Sequence, residues 1–103
     1  MELSIDSLHT SIVENMVDHV QDGWVEASLH VKRADADALA LSGGYKMKDG
    51  EFISFRFRDF DRRIIEDFHS LYRVMAQQGQ VWNRLDFTLY PSGQLSIDSR
   101  LAS

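Results

Sequence analysis

Residues 82–100, WNRLDFTLYPSGQLSIDSR, alternate between apolar and polar on both sides of Pro91-Ser92-Gly93. No other feature of the chain restricts its fold as tightly. Period-2 alternation is the signature of a strand with one buried face. Pro91 pre-sets φ for the first turn position, and Gly93 suits the left-handed bulge position of a three-residue loop. Tyr90 then pairs with Gln94. Working outward, Leu89 meets Leu95, Thr88 meets Ser96 and Phe87 meets Ile97, so Asp86 lands opposite Asp98 and Arg84 opposite Arg100. Like charges directly opposite cost stability; the diagonals Arg84–Asp98 and Arg100–Asp86, within roughly 7–8 Å, would offset this. Such a ladder is either a solvated face of little net worth or a patterned surface for a partner. Trp82 shares the parity of Arg84 and Asp86. Unless a bulge intervenes it belongs on the same open face, where an aromatic among charges makes an interface anchor.

The rest of the chain supplies what the hairpin packs against. Ile5, Leu8, Ile12, Met16 and Val20 form one apolar stripe, which predicts an amphipathic helix over about residues 3–21 with Gly23 as its stop. Residues 24–32 alternate as a half-buried strand, 33–37 are a polar break, and further strands cover roughly 38–47 and 51–58. Lys48-Asp49-Gly50 joins those two. A bulged three-residue loop pairs Met47 with Glu51, Tyr45 with Ile53, Gly43 with Phe55 and Leu41 with Phe57. A two-residue turn would set Lys46 against Ile53 and mix charge with core. Gly43 beside Phe55 suggests a ring over bare backbone. Asp59-Phe60-Asp61 offers a capping carboxylate for a second helix carrying Ile64, Ile65, Phe68, Leu71, Tyr72 and Met75, closed by Gly79.

The expected fold is a single α+β domain over residues 1–103, in the order α-β-β-β-α-β-β. Five mostly antiparallel strands carry both helices on one sheet face and leave the other open. Leu8, Ile12, Met16, Leu29, Phe55, Phe57, Phe68, Leu71, Phe87, Leu89 and Ile97 are the expected core. The hairpin could join either end of the three-stranded meander.

Charge narrows the function classes. The net charge is −5, and the first 23 residues hold Glu2, Asp6, Glu14, Asp18 and Asp22 with no Lys or Arg, while the remainder balances. A phosphate-backbone binder needs a basic stripe, so no nucleic-acid partner is expected. With no cysteine there is no disulfide or thiolate chemistry, which suits the cytoplasm. There is no run long enough to span a membrane and no signal-like start. Catalytic patterns are also missing. His9, His19, His30 and His69 lack zinc spacing, and Glu66 with His69 is only half of a di-iron motif. Gly43-Gly44 is not a phosphate loop, and the serines lack a nucleophile elbow. Asp86 and Asp98 mimic a carboxylate pair but on an open face rather than in a cleft. No catalytic residue, metal, cofactor or small-molecule substrate is therefore expected.

Trp82, Phe87, Leu89, Gly93, Leu95, Ile97 and Asp98, together with the helix–meander–helix–hairpin layout, resemble the YezG-like family of bacterial immunity proteins. The resemblance spans nearly the whole chain, with the hairpin its distinctive part. It implies a cytoplasmic antidote that binds a cognate toxin domain, often a nuclease and basic, and occludes its active site. The candidate toxin-binding residues are Trp82, Arg84, Asp86 and Asp98 on the sheet and Glu14, Asp18 and Asp22 on the first helix. An adaptor or assembly domain using the same face is the alternative, and a small hydrolase using the carboxylates is a further one.

Overall fold

A computed structural model describes residues 4–33 and 38–101. Residues 34–37, most of the expected polar break, lie outside it, as does residue 3, the expected start of the first helix. The elements are α1 (Ile5–Val17), β1 (Trp24–Arg33), β2 (Leu39–Met47), β3 (Phe52–Ser54), a 3-10 turn (Phe57–Asp59), α2 (Arg63–Gln77), β4 (Trp82–Leu89) and β5 (Leu95–Leu101). All pairings are antiparallel, and the sheet runs β3-β2-β1-β4-β5. The final hairpin thus joins the free edge of β1, which becomes the central strand.

Both helices cover one sheet face. Leu8, Ile12 and Met16 of α1 and Ile64, Phe68 and Leu71 of α2 form one buried cluster with Ala27, Leu29, Val31, Tyr45, Leu85, Phe87 and Leu89 of the strands. Nine of the eleven expected core residues are buried; Phe57 and Ile97 are half-buried against the cluster. The hairpin registers follow from their turns. Gly93 N–H donates to the Tyr90 carbonyl (2.9 Å) and Tyr90 N–H to that of Gln94 (3.0 Å), with Gly93 at φ +93°. Asp86 stands opposite Asp98 and Arg84 opposite Arg100. At the other hairpin Met47 N–H donates to the Glu51 carbonyl (2.8 Å), and Tyr45 pairs with Ile53.

Three local expectations change. First, α1 stops at Val17 and Gly23 is not its cap. His19 Nδ1 lies 2.8 Å from the Asn15 carbonyl oxygen, the acceptor that the His19 N–H would use in a continuing helix. That N–H donates to the Met16 carbonyl instead. His19 Nε2 lies 2.9 Å from the Asp59 carbonyl oxygen, and its ring stacks on Phe60 at 4.3 Å. Buried Asn15 completes the clamp: its amide donates to the Asp61 carbonyl and its oxygen accepts from Asp61 N–H.

Second, β3 ends at Ser54, so Leu41 and Phe57 do not pair. Phe55, Phe57 and Phe60 pack on one another at 5.1–6.0 Å, which a bend achieves and a straight strand, with Phe60 on the opposite parity, does not. Third, the bare side of Gly43 is turned to the backbone of β1, while Phe55 N–H donates to the Gly43 carbonyl (3.0 Å) and keeps the expected pairing. A Cβ there would sit 2.2 Å from the Ser28 carbonyl oxygen, so the glycine brings β2 against β1; one at Gly44 would sit 2.3 Å from the Ile53 oxygen.

α2 begins where Asp61 Oδ1 accepts from Arg63 N–H (3.0 Å). It closes at Gly79, with Gln80 N–H donating to the Met75 carbonyl and Gly79 N–H to that of Ala76, the paired bonds of a Schellman end. Among the described residues no helix is long and apolar enough to cross a membrane.

Candidate functional site

The uncovered sheet face is built from alternate residues of the strands, set in rows by their registers. One row crosses Ser42, His30, Asp86 and Asp98; the next crosses Ala40, Lys32, Arg84 and Arg100. Glu26 pairs with Lys46, and Lys46 with Phe52, toward the other end. Because β1 is central, it brings His30 beside Asp86. His30 Nδ1 donates to Asp86 Oδ1 at 2.6 Å, and Arg84 Nε donates to the same oxygen at 3.0 Å.

This network replaces the expected diagonals. Arg84 bonds the carboxylate two residues along its own strand, and neither Arg84–Asp98 nor Arg100–Asp86 is among the ion pairs of the described residues. His30 could not be placed beside Asp86 from sequence, because their contact depends on which strand β4 joins. Partial burial pushes the Asp86 carboxyl up, but the hydrogen bonds from His30 and Arg84 outweigh it and hold the group below its ordinary value of 3.8. A carboxyl whose folded-state pKa is depressed stabilises the fold above its unfolded value. That contribution is lost as pH falls through the folded value. Asp86→Asn should therefore cost at most about 1–2 kcal/mol at neutral pH and much less at a pH low enough to protonate the Asp86 carboxyl in the folded protein. Urea denaturation of both proteins at the two pH values checks this.

A carboxylate-oriented imidazole is the base half of a nucleophile–base pair. Ser42 stands opposite His30 but does not hydrogen-bond its ring. Among the described residues no group of three or more His, Asp or Glu is placed to hold a metal ion.

Trp82 is not on this face. Between Trp82↔Leu101 and Arg84↔Arg100, β4 advances two residues while β5 advances one. Asn83 is the extra residue of a β-bulge, which reverses the parity before it. Trp82 points into the core, fully buried, with its ring edge-on to Tyr72 at 5.6 Å. A side chain with no exposed surface cannot anchor a partner, so Trp82 leaves the candidate set. The aromatic that sequence reasoning missed is Phe52, 57% exposed on β3. Its ring tip would lie 2.7 Å from a Cβ on Gly44, so the ring rests on bare backbone at the edge of the open face. The available signal was a strand-parity Phe facing Lys46 rather than the core.

The three helix acids divide. Glu14 is exposed on α1 and Asp18 is its C-cap, but Asp22 lies beyond the helix, in the turn before β1. None is ion-paired among the described residues, and the last turn of α1 holds no base. The open face itself is mixed: Glu26, Asp86 and Asp98 are interleaved with Lys32, Lys46, Arg84 and Arg100. No family model matches the chain, and no curated protein matches its sequence.

Proposed function

We propose that this domain is a non-catalytic binding protein of the immunity type, which holds a basic toxin domain and covers its active site. The observation that carries the reading is acid placed where it does not stabilise the fold. Carboxylates near a helix C-terminus oppose the helix dipole, yet Glu14 and Asp18 sit toward that end of α1 with no compensating base. Unpaired acid at such a position is of use to a cationic partner, as an electrostatic guide for encounter. The uncovered sheet face then provides the rigid docking surface, with Phe52 as its exposed aromatic and Asp98 as an exposed carboxylate. Asp86 is the less available carboxylate, since His30 and Arg84 already occupy one oxygen. The resemblance of the hairpin to immunity proteins supports the same reading.

The test is co-expression with the polypeptide encoded immediately upstream, scored by complex formation and by growth. The domain should co-purify with that polypeptide and rescue growth. Glu14→Ala/Asp18→Ala should slow association roughly tenfold at low salt and matter little at high salt. Phe52→Ala should act chiefly by speeding dissociation. Complex formation without rescue of growth would favour the adaptor reading; no complex would refute both.

A further inference from the structure

We propose that β5 is the contact edge for a second copy of this chain, joined antiparallel about Ser99 to make one sheet continuous across both copies. The two sheet edges differ. β3 offers three residues, whereas β5 offers seven, Leu95–Leu101, with no proline or glycine to blunt them.

The phase of the β4–β5 ladder fixes which backbone groups face outward. Tyr90 N–H bonds the Gln94 carbonyl, and bonded pairs alternate along an antiparallel ladder. Thr88/Ser96, Asp86/Asp98 and Arg84/Arg100 are then the bonded pairs. The N–H and C=O groups of Ile97 and Ser99 point away from β4, to the free edge. An antiparallel partner must set outward residues against outward residues, which restricts the register to steps of two.

Charge selects among those steps. With Ser99 opposite Ser99 of the second copy, Asp98 faces Arg100 and Arg100 faces Asp98. A slide of one step either way sets Asp98 against Asp98, or Arg100 against Arg100. In the favoured register the two charge pairs fall at non-bonded positions, where side chains are closest. Both residues are exposed, neither is ion-paired among the described residues, and within the chain each faces a like charge, Asp86 or Arg84. A second copy supplies the opposite charge that the fold does not. The two-fold axis stands perpendicular to the sheet, so both open faces lie on the same side. The proposal does not rest on the toxin-binding reading, but the two share Asp98, which in the dimer is paired with Arg100 of the second copy.

An edge contact buries little area, so the dimer is weak, with a Kd on the order of 100 μM. Sedimentation equilibrium of the full chain at low salt measures it. D98R and R100D alone should each weaken self-association roughly tenfold or more, because two opposite-charge pairs become two like-charge pairs. The double variant D98R/R100D should restore it, and an equimolar mixture of the two single variants should form the heterodimer. Each single change relieves a like-charge pair inside the chain, so folding is retained and circular dichroism verifies it. A wild type that stays monomeric at about 1 mM, or a double variant as weak as the singles, overturns the proposal and leaves the edge to a strand of some other protein.

Discussion

Trp82→Ala is expected to lower the unfolding free energy by about 3–5 kcal/mol. That is a large share of what holds a domain of this size. The side chain is fully buried and packs edge-on against Tyr72, whose ring also carries the Arg33 guanidinium at 3.5 Å from its centroid. Truncation removes the largest side chain of the core and leaves a cavity between α2 and the start of β4. Trp82→Phe should cost far less. The indole Nε1 is buried and makes no hydrogen bond among the described residues, and removing an unsatisfied donor returns about 1–3 kcal/mol against the lost packing. Urea denaturation of the two variants separates the roles. If Trp82→Ala left the midpoint unchanged, Trp82 would be a surface residue after all, and the bulge at Asn83 would be wrong.

Gly43→Ala should cost about 2–6 kcal/mol. At φ +142°, well outside the left-handed helical region, an L side chain is strained by about 1–3 kcal/mol. The added Cβ would also lie 2.2 Å from the Ser28 carbonyl oxygen and 3.0 Å from Leu29 Cα. Those atoms belong to the backbone of the central strand and cannot swing aside, so β2 must draw back from β1. Forced contact of this kind costs roughly 1–3 kcal/mol more. Gly50→Ala is the control: its φ is also positive, at +90°, but a Cβ there meets nothing within 4 Å. It should show the backbone penalty alone. Equal losses at the two positions would mean that the close approach of β2 to β1 carries no weight.

The parts of the fold legible in the sequence are those governed by neighbours along the chain. Turn chemistry at Lys48-Asp49-Gly50 and Pro91-Ser92-Gly93 fixed two registers, and parity then sorted Phe87 inward and Asp86 outward. Parity failed at Trp82 because a single extra residue in β4 inverts everything before it, and Asn83 carries no turn signal. It failed again after Ser54, where Phe55, Phe57 and Phe60 gain more from packing on one another than from extending β3. The stop of α1 was hidden because it is made by the ring of His19 reaching across to Asp59. At the candidate site, Asp86 and Arg84 were assigned to the open face correctly, but their partner was not. His30 reaches Asp86 only once β4 is known to lie beside β1, a contact between distant parts of the chain.

That same strand order has a consequence in time. The middle of the sheet is made early in the chain, and one of its two sides is completed only by the last hairpin. During synthesis β1 can pair with β2 as soon as both have emerged, but its other edge stays bare until β4 arrives. Closing so long a loop comes late and slowly, because its entropy is lost before the contacts are gained. The half-built sheet is therefore a species with an open edge on its central strand, the kind of intermediate that associates wrongly when crowded with its own copies.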